Sequence, residues 1–260
     1  MADLQHTHEL TYDGDLVTKR YLGDRPGAAE REWRALTLLA EYAPGLAPRP
    51  VAFEAGAVTM SRIDGVPLRG LPVREEHGVA LAAALAELHA AIPAPVLEQV
   101  PVRPWQCAAV RDWIMERAGR RLGDPLAARA AREGLRWLES RRPDGSGITP
   151  VFGGGDGNLA NFLWDGRRVR VVDFEDSGRS DRAYELAELA EHVSMWVDGE
   201  VEIAGRFELG PQEERRLREC RRMHALTWLF LLSYDDPRNP RNPPGTFRRQ
   251  AERVLAVLGA

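Results

Sequence analysis

Lysine is almost missing from this chain: of its 35 basic residues only Lys19 is a lysine and the rest are arginine. Such a bias fits a GC-rich coding sequence that has exchanged lysine for arginine wherever either would serve. A compact ammonium and a planar guanidinium fork are not interchangeable, so the survivor points either to chemistry that arginine cannot do or to chance. Asparagine is scarce too, four in 260 residues, and two of the four, Asn158 and Asn161, fall in one short loop. Cysteine is limited to Cys107 and Cys220. Their separation matches neither a metal-ligand spacing nor a disulfide framework, so both read as buried or idle thiols. There is no basic excess: the net charge is −4, which argues against a nucleic-acid partner. No apolar run approaches a bilayer span, and MADLQHTHEL at the start lacks the apolar stretch of a secretory signal. The expectation is a cytoplasmic protein without membrane contact. A P-loop signature is absent and no nucleophile motif stands out, which disfavours a phosphate-ester hydrolase. Internal repeats and low-complexity tails are also lacking. Oligomeric state leaves no trace in the sequence.

What is present is enough for a core. At 260 residues and 44% hydrophobic content, the chain can form two lobes or one large domain. Its most informative stretch is VFGGGDGNLANFLWDGRRVRVVDFED, Val151 to Asp176. Arg167 to Phe174 alternates and is rich in valine, so it predicts a strand, with Asn161 to Trp164 as its hairpin partner across the turn Asp165-Gly166. Asp156 and Asn161 then lie in and at the end of a loop entering one strand, and Asp173 at the end of the other. Hairpin pairing brings oxygens spaced by five and twelve positions into one small volume. One or two carboxylates and an amide are the hard ligands Mg²⁺ takes when phosphates and water supply the remaining positions.

Elsewhere, Thr7 to Tyr12 and Asp15 to Leu22 read as strands joined through Asp13-Gly14, with Lys19 on the second. Ala28 to Tyr42 has helical periodicity, with Trp33, Leu36, Leu39 and Ala40 on one face. Val51 to Phe53 and Ala57 to Ile63 read as two more strands. Helices are expected over Glu75 to Ala91, Ala108 to Leu122, Pro125 to Ser140, Ser180 to Trp196 (capped by Ser180 or Asp181), Gln212 to Tyr234 and Thr246 to Leu258. The loop DDPRNPRNPPG separates the last two.

A lysine on a strand, a glutamate on the next helix, a D-x-x-x-x-N loop past the midpoint and an Asp-Phe pair after a strand occur here in the order found in protein kinase-like folds. With VTKRY, AEREWRALTLLAEY, MSRIDGVPL, LAELH, GGDGNLANFLW and VVDFEDSGRSDRAYELA, the chain resembles the aminoglycoside phosphotransferase and choline kinase family of small-molecule kinases over nearly its whole length. The resemblance implies an α+β, two-lobed protein kinase-like fold. Its small, truncated β-rich N-lobe would span residues 1–65 and bind nucleotide, and a larger helical C-lobe, 66–260, would carry the catalytic loop and metal-binding hairpin. It also implies transfer of phosphate from ATP or GTP, with Mg²⁺, to a hydroxyl of a small molecule. Lys19 would meet the α and β phosphates, with Glu32 rather than Glu30 holding it. Asp156 would accept the hydroxyl proton, Asn161 and Asp173 would hold Mg²⁺, and Ser61, Arg62 and Ile63 would lie beside the base.

Three departures qualify that picture. Gly154 stands where the family usually has a loop-bracing histidine, so the loop is expected to be looser. Glu175 replaces the glycine of Asp-Phe-Gly. Only Gly14 precedes Lys19, so the phosphate clamp is expected to be a shortened hairpin or an impaired one. His89 is expected in the core. Trp113, Trp196 and Trp228 are expected to pack in the core rather than cage a quaternary ammonium. Asp181, Glu185, Glu188 and Glu191 suit either a cationic substrate or a solvated helix face, and Asp176 is the acid expected to line the substrate cleft. Two functions compete: an active phosphotransferase, and a kinase-shaped nucleotide- or ligand-binding regulatory protein that has lost catalysis.

Overall fold

In a computed structural model of the chain, the described residues are 8–22, 25–141, 148–198, 200–236, 238 and 241–259. They divide into two compact units. The first comprises the chain as far as Pro104 together with Pro150–Ser180. It opens with the antiparallel hairpin β1 (His8–Asp13) and β2 (Leu16–Tyr21). Thr7, the expected first strand residue, lies outside the described residues. Asp13 pairs with Leu16, so the two-residue turn is Gly14-Asp15, one position later than expected, and Gly14 supplies the positive φ of 56° that it requires. After helix α1 (Ala28–Tyr42) come β3 (Pro50–Glu54) and β4 (Ala57–Ser61), which complete a four-stranded sheet of order β1-β2-β4-β3.

Helix α1 buries Ala28, Ala29, Glu32, Ala35, Leu36 and Leu39. The buried face is therefore rotated from the expected one: Ala40 is exposed, and Trp33 stacks on Phe53 at 5.9 Å. Strand β4 ends at Ser61 rather than Ile63, and the Arg62 N–H turns to the Asp15 carbonyl, 2.7 Å away.

The rest of this unit is β5 (Val66–Pro67), α2 (Glu75–Ala91), the short α3 (Ala94–Leu97), β6 (Pro150–Gly153), β7 (Phe162–Trp164), β8 (Val169–Val171) and β9 (Gly178–Asp181). Strands β5-β7-β8 form one small sheet and β6-β9 another. The β7-β8 hairpin is shorter than its sequence implied. Asp165 Oδ1 accepts the N–H groups of Arg167 and Arg168 at 2.9 and 2.8 Å, which widens the turn, and the positive φ of Asp173, 68°, ends the extended run.

The second unit, Trp105–Thr149 with Asp181–Ala260, is helical: α4 (Cys107–Met115), α5 (Pro125–Ser140), α6 (Arg182–Glu191), α7 (Pro211–Leu232) and α8 (Thr246–Leu258). Helix α4 stops seven residues before the expected Leu122. Beyond it Arg117, Ala118 and Arg120 donate to carbonyls only three residues back, tight turns that run up to and past Gly119. Helix α6 starts at the expected cap, where Asp181 Oδ1 accepts the Tyr184 N–H at 2.8 Å. It ends at Glu191, because His192 is extended (φ −60°, ψ 134°) and a separate tight turn, Val193–Met195, follows.

The core of this unit gathers Ala130, Leu226, Leu229, Phe230 and Val254 from α5, α7 and α8. Trp196 and Trp228 pack with Val193 and Val197, and the guanidinium groups of Arg249 and Arg253 lie over the Trp196 ring at 5.0 and 5.2 Å. That tryptophan's cation partners thus come from its own chain. Glu191, which fitted a solvated face, is fully buried and paired with Arg221 at 2.7 Å. Among the described residues, no helix is long and apolar enough to cross a membrane.

Helices α5 and α7 approach closely at Gly134, where an added Cβ would lie 2.8 Å from Leu226 Cδ1. Gly134→Val is expected to destabilise the protein by about 1–3 kcal/mol, seen as a lower midpoint in urea denaturation.

Candidate active site

Along β2, Lys19 is the one position that is buried, 3% exposed, because it faces α1 under the sheet. Its ammonium lies 2.5 Å from Asp173 Oδ1, 3.1 Å from Glu175 Oε2 and 3.3 Å from Glu32 Oε2. Burial alone would push a lysine towards neutrality, but the carboxylates of Glu32 and Asp173 outweigh it and hold the Lys19 pKa far above its ordinary value. The ammonium is permanently charged.

Glu32 reaches it from the buried face of α1, whereas Glu30, the alternative partner, is exposed. Glu32 Oε2 also accepts the Tyr21 hydroxyl at 3.0 Å and the Phe174 N–H at 2.8 Å. Tyr21 was missed in the sequence, although a legible signal existed: it sits two residues after Lys19 on the same face of the strand.

Glu175 is the larger omission. Burial opposes its charge, but a hydrogen bond with His8 and the charges of Lys19 and Arg25 pull its pKa down to about 2. Arg25 forks across Glu175 and Asp176, with 2.7 Å to the latter. Arg31 donates to the Glu175 carbonyl at 2.6 Å and lies 3.8 Å from Asp176. Nothing in sequence spacing foretold that these two arginines would meet residues about 150 positions away.

The loop beyond β6 supplies the remaining groups. Asp156 Oδ1 accepts the Asn158 N–H at 3.2 Å, and Asn158 Oδ1 in turn accepts the Ala160 N–H at 3.1 Å. This pair of local turns delivers the single tight turn Leu159–Asn161 to the start of β7. Asp156 is exposed by surface area, although protein atoms crowd its carboxyl group. That enclosure, with the like charges of Asp173 and Asp176, pushes its pKa up to about 7. The Asn161 carbonyl accepts the Val172 N–H at 2.9 Å, which ties the loop to the segment carrying Asp173.

For a divalent cation, the fit rests on Asn161 and Asp173. The Asn161 side chain is buried and its amide nitrogen has no hydrogen-bond partner among the described residues; turned over, the same amide offers an uncommitted oxygen. Among the described residues no group of three or more His, Cys, Asp or Glu side chains is gathered as a metal site. A cation at Asn161 and Asp173 would therefore draw its other ligands from phosphate oxygens and water, the mode typical of Mg²⁺.

Lys19, Glu32, Ser61, Arg62, Ile63, Asn161 and Asp173 all line one cleft of about 610 Å³ within the first unit, a volume suited to a ligand of nucleotide size. Ser61 is fixed there by Arg49: their backbones bond at 2.9 Å, and Ser61 Oγ accepts the Arg49 N–H at 2.9 Å. Asp156 and Asp176 are not part of the lining. Asp176 pairs with Arg25 and lies near Arg31.

A profile of the Phosphotransferase enzyme family matches residues 6–220. The chain belongs to this family. No curated protein sequence matches it. Among solved structures it is similar to a choline/ethanolamine kinase family protein from Mesorhizobium loti, at 21% identity and TM-score 0.67 over 97% of this chain and 90% of that one. It is also similar to a choline kinase from Streptococcus pneumoniae, at 16% identity and TM-score 0.65 over 100% and 92% of the two chains. A third is a spectinomycin phosphotransferase solved with ADP and spectinomycin, at 12% identity and TM-score 0.62 over 99% and 91%. At these identities the likeness is one of fold. This phosphotransferase family member has the mixed α+β architecture of the protein kinase-like fold, with an antiparallel-sheet N-lobe and a helical C-lobe.

Carboxyl NMR of the metal-free protein is expected to show Asp156 titrating near pH 7. Because its folded pKa is raised, this group favours the folded state below the ordinary aspartate range, and the contribution is lost as pH rises through about 7. A midpoint near 4 would show that neither its enclosure nor the charges of Asp173 and Asp176 raise it.

Proposed function

We propose that the protein is a small-molecule kinase that moves the γ-phosphoryl group of ATP or GTP, with Mg²⁺, to a hydroxyl of a small acceptor. The acids around Asp156 and Asp173 favour a cationic acceptor such as an aminoglycoside or an amino alcohol. The observation that carries this reading is the meeting of Lys19, Glu32, Asn161 and Asp173 on one cleft of nucleotide size in a chain of the phosphotransferase family.

Lys19 would exchange Asp173 and Glu175 for donor phosphate oxygens while Glu32 keeps it in place, and the backbone of Ser61 to Ile63 would lie beside the base. A divalent cation at Asn161 and Asp173 would neutralise charge on the phosphates. Asp156, ionised, would accept the proton of the acceptor hydroxyl as that oxygen meets phosphorus, while the nucleoside diphosphate leaves. Catalysis on this reading is positioning and charge stabilisation. The spectinomycin phosphotransferase solved with ADP and an amicoumacin kinase solved with AMP-PNP and Ca²⁺ support a nucleotide donor and a divalent ion. The cytoplasm is the proposed compartment, where a nucleoside triphosphate donor is at hand.

Calorimetry with Mg·ATP and Mg·GTP, repeated without metal, is expected to show metal-dependent binding. Asp156→Asn should lower turnover at least about 100-fold while nucleotide affinity stays within about threefold; full turnover in that variant removes Asp156 from the mechanism.

A second reading, a nucleotide- or ligand-binding regulatory protein without turnover, is favoured by the third carboxylate on Lys19, Glu175, which phosphates must displace. Glu175→Gln separates the two. Nucleotide binding without turnover in the wild-type protein, tightened in the variant, supports the regulatory reading, and binding with turnover in both proteins supports the kinase.

A further inference from the structure

Asp156 follows three consecutive glycines, Gly153 to Gly155, so the chain entering it has no side chain with which to fix itself. Glycine loses more conformational freedom on folding than any other residue, yet Asp156 has to be aimed. The hydrogen bond from the Asn158 N–H to Asp156 Oδ1 ties the downstream side.

The upstream anchor comes from a different part of the first unit. Arg103 is 1% exposed, heads the largest fully buried side chains among the described residues, and donates a guanidinium hydrogen to the Gly155 carbonyl. The strip that carries it is stapled to β9. Val102 bridges Arg179 in parallel, the Arg103 N–H meets the Arg179 carbonyl at 3.2 Å, and the Arg179 N–H meets the Pro101 carbonyl at 2.9 Å.

Two glycines make the fit possible. A Cβ on Gly178 would stand 2.7 Å from both Arg103 N and Pro101 O, and Gly155 has φ 111° with only 2.7 Å from a built Cβ to the Asp176 carbonyl carbon. Burying a guanidinium is costly unless its hydrogen bonds are placed, and here one is spent on the peptide group that leads directly into Asp156. The arginine's positive charge also acts on the Asp156 carboxylate, against the repulsion of Asp173 and Asp176.

We propose that Arg103 is a positioning residue for phosphoryl transfer: by tying the Gly155 carbonyl to the Pro101–Arg103 strip, it holds the Asp156 carboxylate where the acceptor hydroxyl must be met. The inference rests on the assignment of Asp156 as the acceptor-side base.

The test uses the full chain with Arg103→Ala, Arg103→Lys and, at a distance from the guanidinium, Gly178→Ala. All three are expected to lower kcat, about 100-fold for Arg103→Ala, with nucleotide KM and calorimetric affinity close to wild type. Arg103→Ala should recover part of its kcat in methylguanidinium, which can refill the vacated site. Parallel loss of kcat and nucleotide affinity, or kcat at the wild-type level, overturns the proposal. Should Arg103→Ala fail to fold, Arg103→Lys, which keeps the buried charge without the fork, carries the comparison. Hydrogen exchange of the 153–158 amides is read without substrate. Faster exchange confined to that loop in the variants supports the anchor, and unchanged exchange overturns it even if the wild-type protein consumes no nucleotide, an outcome that would instead defeat the kinase reading.

Discussion

A buried ammonium is unstable unless countercharges surround it, and in this protein that requirement organises the first unit. Lys19 draws Glu32 from α1, and Asp173 and Glu175 from the segment after β8, to within 3.3 Å. Removing one partner of such a buried pair typically costs about 3–5 kcal/mol because the other charge is left uncompensated. The cluster therefore fixes three separate stretches of chain against one another. It also explains the left-handed backbone of Asp173: its φ of 68° is rare for a side-chain-bearing residue, and it is held where the carboxylate reaches Lys19 and the next N–H reaches Glu32.

The same cluster carries an excess of negative charge that only part of the chain balances. Arg25 and Arg31 take up Glu175 and Asp176, whereas Asp173 leans on Lys19 and Asp156 on the charge of Arg103. A site in that condition attracts cations, and its acids repel one another until a cation arrives. The electrostatics of the loop and the cleft thus agree with a polyanionic substrate that brings its own metal ion, although Asp156 lies outside the lining shared by Lys19, Asn161 and Asp173.

Several elements were legible in the sequence because their causes are local. Helices α1, α2, α5 and α8 have the predicted ends, each set by a glycine, a proline or an apolar period. Where the structure departs from expectation, a longer-range or side-chain interaction intervenes. Asp165 captures two backbone N–H groups and widens a hairpin turn. Extended His192 cuts short a helix whose periodicity runs on. Glu191, polar in sequence, is drawn into the interior by Arg221 and Arg253.

The sequence by itself determined the family and the order of most elements, since motifs and periodicity are carried by residues close along the chain. Only the tertiary structure decided how the charged groups are paired: that Lys19 meets a third carboxylate at Glu175, that Asp176 pairs with Arg25 and lies near Arg31, and that Arg103 steadies the glycine run before Asp156. These contacts join residues more than fifty positions apart. Periodicity and spacing report on neighbours along the chain, whereas charge pairing and burial act through space.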